Sequence, residues 1–367
     1  MQSLYVHIPF CQKKCLYCSF VVSIGQQQRI DSYLHCLDQE ALRYLRPAVQ
    51  SVYIGGGTPT FMNATQIEQC LNVLKIRFDI DPQAEWTMEA NPEGLDRDQL
   101  KVMREMGVNR ISLGMQSLNE KYLKYLGRVH DKSSALHAFE KIRDAGFHNI
   151  NVDLMFSFAQ QTMDEFKKDV KSIVALQSDH ISAYNLTVEE NSRFYAKKIG
   201  LPTNDFQREQ YVTMLSMLKD AGYDQYEVSN FARSGRQSSH NLNYWLGGNY
   251  IGLGLGAHSH VNGRRFWNIG KLLEYIKCVE DGQSVIEGEE TLCAHDRFME
   301  AFIFSLRMNA GVCLKSLEEK FGETLDEQRR MVIDECLRNE LLMLDQGKIK
   351  AQLKGRLVLD EIASRLI

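Results

Sequence analysis

The chain has 367 residues, 44% of them hydrophobic and 25% charged, with a formal net charge of -4. This predicts one large catalytic-sized domain with a smaller appendage, and the acidic balance argues against nucleic acid as a partner, since phosphate binding calls for a basic surface. No apolar run approaches the ~20 residues that cross a bilayer, and MQSLYVHIPF lacks the basic-then-apolar pattern of a secretory leader, so the chain reads as cytoplasmic.

In chain order, six short runs rich in β-branched and aromatic residues read as strands: SLYVHI (3–8), SVYIGG (51–56), EWTMEA (85–90), RISLGM (110–115), INVDLMF (150–156) and HISAYNL (180–186). Amphipathic stretches at 26–46, 64–77, 96–106, 132–145 and 163–176 separate them as helices. Asn63 is placed to cap the second, and Gly107 and Gly146 stand where helices should end. Alternating strands and helices imply a parallel α/β sheet with right-handed crossovers. Six units are two short of a closed eight-stranded barrel, so a partial (β/α)6 barrel is expected, with its ligand site beyond the carboxyl ends of the strands.

Residues 188–290 are less regular: helix 205–221 precedes a Gly-, Asn- and aromatic-rich region, 229–268. From residue 291 the pattern changes to helices 294–307, 314–321 and 324–339, then two apolar runs, LLML (341–344) and RLVL (356–359), about turn residues Asp345–Gly347. This predicts a mainly helical, winged-helix-like C-terminal domain. With 12 Lys or Arg against 13 Asp or Glu over residues 294–367, it reads as a packing or lid module. The division expected is 1–187 for the barrel core, 188–290 for a barrel-completing region and 291–367 for the C-terminal domain.

Of nine cysteines, three fall within eight residues, Cys11, Cys15 and Cys18, in a C-x3-C-x2-C spacing just after the first strand. The other six are scattered and read as plain buried thiols. In a reducing compartment a tight group signals metal rather than disulfides. Three thiolates on one loop can each take one iron of a [4Fe–4S] cube, leaving the fourth iron open to the amino and carboxylate groups of S-adenosylmethionine (SAM). The competing reading is a zinc knuckle, with His7 as the fourth ligand.

With YVHIPFC (5–11), GGGTPT (55–60), MEANP (88–92), SLGMQS (112–117), LGRVH (126–130), NVDLMF (151–156) and HNLNYW (240–245), the chain resembles the radical SAM superfamily over nearly its whole length. More narrowly, it resembles the group holding the oxygen-independent coproporphyrinogen oxidases and the haem chaperones called HemW. The resemblance implies that the segment around Gly56, Gly57 and Thr58 meets the SAM amino group, that Tyr5 and Tyr17 border that SAM, and that Glu89 contacts it. Gln116, Arg128 and Asp153 match positions that surround a second SAM in the oxidases.

Two departures separate the chain from the oxidases: Phe20 stands where they carry a fourth cysteine, and only four residues precede Tyr5. Together with His240-Asn-Leu-Asn-Tyr-Trp245, which looks like the HNxxYW motif of the haem chaperones, they imply haem as cargo, His240 as its ligand, and His258 and His260 as secondary candidates. The expected partners are an acceptor haem protein, with a respiratory, membrane-bound one reached by peripheral association as a candidate, an electron donor, and a second copy of the chain as a further candidate. Anaerobic oxidative decarboxylation of coproporphyrinogen III is the alternative activity.

Overall fold

The computed structural model describes residues 2–367. One sheet of twelve strands organises the chain. In chain order these are β1 Gln2–Ile8, β2 Ala48–Gly56, β3 Asp79–Ala90, β4 Arg110–Gln116, β5 Ile150–Phe156, β6 His180–Asn185, β7 Asp224–Glu227, β8 Asn230–Ala232, β9 Asn249–Leu253, β10 His258–Val261, β11 Arg264–Asn268 and β12 Ile286–Thr291. In space they run β12-β11-β10-β9-β1-β2-β3-β4-β5-β6-β8-β7. From β9 to β6 every pairing is parallel, and both flanks continue antiparallel. The terminal strands β12 and β7 are not neighbours, so the barrel stays open: a partial α/β barrel, as the alternation of elements predicts.

The parallel strands are covered on both faces, which is why they read as near-continuous apolar runs. Every residue of β4 is buried, as is every residue of β5 except Asp153. Their outer faces pack on helices whose ends the sequence marks. Asn63 and Gln66 form a reciprocal capping box at the start of helix Ala64–Arg77. Gly107 and Gly146, just past helices Arg97–Glu105 and Lys132–Asp144, take φ of +98° and +84°.

Three expectations need correction. The region 229–268 is not irregular: it holds β8, helix Ser239–Trp245, β9, β10 and β11, and β9 supplies a seventh parallel strand beside β1. Its glycines hide it from a propensity reading, yet they are required, because a Cβ on Gly252 would strike the carbonyl of His258 in the neighbouring strand. In the C-terminal domain, RLVL is helical or turn. The hairpin partner of Leu342–Asp345 is Lys348–Ala351, because Gln346 and Gly347, with φ of +50° and +76°, close the turn at once. The scattered cysteines are also not uniformly buried: Cys36, Cys70 and Cys336 are, Cys278 and Cys313 are half-buried, and Cys293 is exposed.

The main core lies between the sheet and its helices, and a separate one, built on Phe298, Phe302, Ile333 and Ile362, fills the C-terminal domain. A third, of Tyr122, Phe158 and Phe194, packs against Leu16 and Tyr17 and so anchors the cysteine loop. Among the described residues no helix is long and apolar enough to cross a membrane.

Candidate functional site

The carboxyl ends of β1 to β5 converge on one cavity. Cys11, Cys15, Tyr17 and Cys18 line it from the loop after β1, Gly56, Gly57 and Thr58 from the end of β2, and Glu89 from β3. Gln116 closes β4, Arg128 follows it, and Asp153 comes from β5. The residues singled out in the sequence for the cluster and SAM meet there except Tyr5; His7 and the haem candidates His240, His258 and His260 do not line it.

The loop is held as a unit. Leu16 donates its backbone N–H to the Leu126 carbonyl (2.9 Å), and the Leu16 carbonyl accepts from Phe194 (2.9 Å). Gly57 N–H donates to the Ile8 carbonyl (2.8 Å) and Thr58 N–H to that of Phe10 (2.9 Å). A Cβ on Gly57 would sit 2.8 Å from both those oxygens, so only glycine permits this approach. His7 pins the loop's far end through Nε2 to the Val21 carbonyl (2.8 Å), while Tyr5 OH meets its Nδ1 (2.9 Å). Both ring nitrogens are therefore engaged, and His7 is not a free fourth metal ligand. Burial pushes its pKa down to about 4.

Each of two thiols has a polar neighbour. Thr58 Oγ1 lies 3.4 Å from Cys11 Sγ and accepts from Asn91 Nδ2 (2.9 Å), leaving its hydroxyl hydrogen for the sulfur. Arg128 places Nη1 at 3.4 Å from Cys15 Sγ and donates through Nη2 to Asn91 Oδ1 (2.7 Å) and the Gly114 carbonyl (2.8 Å). Burial raises the Cys11 thiol to about 11. Among the described residues no three His, Cys, Asp or Glu side chains converge on a single-ion site. The three thiols are free and line one cavity, the placement that one thiolate per iron of a cluster would need.

Two carboxylates face the same space. Glu89 accepts from Tyr53 OH (2.7 Å) and the Gly56 N–H (3.0 Å), and burial raises its pKa to about 7. Asp153 accepts from Asn151 Nδ2 (2.7 Å), and burial raises it to about 6. Gln116 holds φ of +64° where β4 breaks register with β5, which turns its side chain into the cavity. Cationic groups of a ligand would be attracted to this pair.

A model of the radical SAM superfamily matches residues 5–173, and one of the HemN C-terminal domain matches residues 292–358. The haem chaperone HemW of Bacillus subtilis is 33% identical over 99% of this chain and 98% of its own length. That of Lactococcus lactis is 34% identical over 96% and 94%. The chain belongs to the HemW group of the radical SAM superfamily. Its fold also matches a solved structure of coproporphyrinogen III oxidase (HemN) of Escherichia coli, a radical SAM enzyme, with a TM-score of 0.87 at 25% identity, over 100% of this chain and 89% of that one.

Against this HemW-type frame, His240 lies apart from the cysteines. Its helix precedes β9 and plugs the amino-terminal end of the barrel. The ring is 2% exposed, stacks on Tyr53 at 5.0 Å, and sets Nδ1 3.1 Å from Ser51 Oγ. Tyr5 does not line the cavity; it stacks on Tyr53 at 6.3 Å and supports His7. Asn91 was not singled out from the sequence, though it ties Thr58 to Arg128; its signal was the Asn-Pro pair at the end of the third strand. His130 and Glu93, paired at 3.1 Å behind Arg128, carried no separate signal.

Proposed function

We propose that the chain is a haem chaperone that binds a [4Fe–4S] cluster and SAM, takes up haem, and passes it to an acceptor haem protein. The observation that carries the cofactor half is the convergence of Cys11, Cys15 and Cys18 with Gly56–Thr58, Glu89, Gln116, Arg128 and Asp153 on one cavity. The thiolates would hold three irons, and the amino and carboxylate groups of SAM would take the fourth. Such a cluster, bound and reduced, would supply the electron for cleaving SAM. The chain's own residues orient and exclude: Glu89 and Asp153 attract the cationic ligand, Arg128 offsets thiolate charge, Gly57 lets the backbone approach, and Tyr17 covers the loop. The cargo half is supported by relatives that are named haem chaperones and match along almost the entire chain. His240, the ligand implied by the resemblance, reaches a bound iron only if helix Ser239–Trp245 turns out of its packing.

The test is anaerobic reconstitution with iron and sulfide, followed by haem titration, haem transfer to an apo-acceptor and assay of coproporphyrinogen III. Haem uptake and transfer, with iron loading abolished in Cys11→Ala/Cys15→Ala/Cys18→Ala, is the expected result. Turnover of coproporphyrinogen, or failure to take up haem, overturns the chaperone reading.

A further inference from the structure

Beneath the cavity the barrel interior is polar, and its side chains form one continuous column. Asp153 accepts from Asn151 Nδ2 at 2.7 Å, and the same amide nitrogen lies 2.8 Å from Ser112 Oγ. On the other side of the amide, Asn151 Oδ1 accepts from Ser182 Oγ (3.1 Å) and meets His180 Nδ1 (2.6 Å). His180 Nε2 lies 2.8 Å from the Tyr226 hydroxyl, whose oxygen accepts from the Ser238 main-chain N–H at 3.2 Å. Strands β5, β6 and β7 thus contribute one member each, Asn151, His180 and Tyr226. Asn151, His180 and Ser238 are buried and Tyr226 is half-buried, so bulk water is not at hand to replace a lost partner.

The two ends of the column fix its direction. A main-chain N–H can only donate, and an ionised carboxylate can only accept. Burial holds His180 well below the usual histidine pKa, so the ring is neutral, with one donor and one acceptor. The Tyr226 oxygen already accepts from Ser238, which leaves its O–H to donate to His180 Nε2. His180 then carries its hydrogen on Nδ1 and donates to Asn151 Oδ1, and Asn151 Nδ2 is left to face Asp153. Were the amide turned over, its oxygen would meet the carboxylate, and Asp153 would need a proton to stay there. A protonated Asp153 no longer attracts a cation.

We propose that His180 and Tyr226, neither of which lines the cavity, are positioning residues for the SAM site: acting through Asn151, they keep Asp153 turned and ionised toward the cationic ligand. The proposal rests on the reading of that cavity as a SAM site and extends the site to β6 and β7.

Two measurements on the full chain test it. The first needs no ligand: nitrogen NMR spectra of isotope-labelled histidines, with the His180 signals assigned by their loss in His180→Gln, are expected to show the Nδ1–H tautomer. An Nε2–H tautomer reverses the column and overturns the proposal. The second is SAM affinity at neutral pH, by anaerobic equilibrium dialysis on reconstituted proteins matched for iron content and circular dichroism. His180→Leu and Tyr226→Phe are each expected to bind SAM about three- to tenfold more weakly, the weight of one net hydrogen bond. His180→Gln, whose amide N–H can still donate to Asn151, should return to within about twofold of the wild type, a rescue that a merely space-filling role does not give. Wild-type affinity in both His180→Leu and Tyr226→Phe, or equal weakening in His180→Leu and His180→Gln, overturns the proposal while leaving the SAM site in place. Asp153→Asn separates the two readings, with a loss of at least about tenfold expected for a charge-assisted contact. Wild-type affinity in Asp153→Asn, or a wild type that binds no SAM, overturns the assignment of Asp153 to SAM and the proposal with it.

Discussion

Arg128 and Cys15 are 113 residues apart in sequence, yet Arg128 Nη1 lies 3.4 Å from the Cys15 sulfur. The guanidinium is buried, with a side-chain exposure of 4%, and also meets Asn91, Gly114 and, at 3.8 Å, Glu93. Removing it leaves several buried acceptors without their donor and Glu93 without its cation. We expect Arg128→Met to cost about 2–4 kcal/mol of apo-protein stability, because it leaves the Asn91 and Gly114 oxygens without their donor. Urea unfolding of wild type and variant measures this. A cost below about 1 kcal/mol, the scale of an exposed pair, would mean that the network does not hold the fold together.

Gly57 tests the backbone logic of the same loop. Alanine there would bring a methyl within 2.8 Å of two carbonyl oxygens, those of Ile8 and Phe10. Neither is the tip of a flexible side chain, so the loop must move. Gly57→Ala is expected to lose at least half of the iron taken up by the wild type on reconstitution while keeping its far-ultraviolet circular dichroism. Full iron loading would show that the loop yields at no cost.

How much of this was legible depends on the range of the interaction. The cysteine spacing, the glycine run after the second strand and the six apolar strands are local signals, and the structure carries the strands where those signals put them. The seventh strand was missed because Gly252 weakens its propensity, and its partner, β1, lies about 250 residues away. The direction of His240 was also illegible. A helix of seven residues turns His240 and Asn243 inward and Tyr244 and Trp245 outward, and only the packing of Tyr53 and Ser51 decides which face is which. Asn91 acts through contacts to residues 33 and 37 positions away, which no spacing rule encodes.

The raised pKa of Glu89 gives ligand binding a pH dependence. With the carboxyl at about 7 through burial, roughly half is protonated at neutral pH in the unliganded site. A cationic sulfonium favours the ionised form, so binding must expel that proton. SAM affinity is therefore expected to fall as pH drops below about 7, approaching tenfold per unit from this group. Glu89→Gln should bind more weakly at pH 8 and show a flatter profile. Equilibrium dialysis between pH 6 and 8 reads both; an identical slope in the variant would assign the dependence to another group.

Acid stability sets two kinds of buried group against each other. Burial lowers His7 to about 4 and His240 to about 3, while it raises Glu89 to about 7 and Asp153 to about 6. For the histidines the unfolded chain binds more protons below pH 6.5, so their contribution is complete above that value and is lost as pH falls toward the folded pKa. For the carboxyls the folded chain binds more protons, so their contribution grows as pH falls. The wild-type profile between pH 8 and 5 is thus a partial cancellation, and a single substitution separates the terms. Between those pH values the neutral His240 should account for about 2 kcal/mol of lost stability, a figure insensitive to any folded pKa below about 4. His240→Gln should therefore lose about 2 kcal/mol less than the wild type over that range in urea unfolding. A difference between the two proteins that does not change with pH would mean that the His240 ring takes up its proton inside the folded barrel.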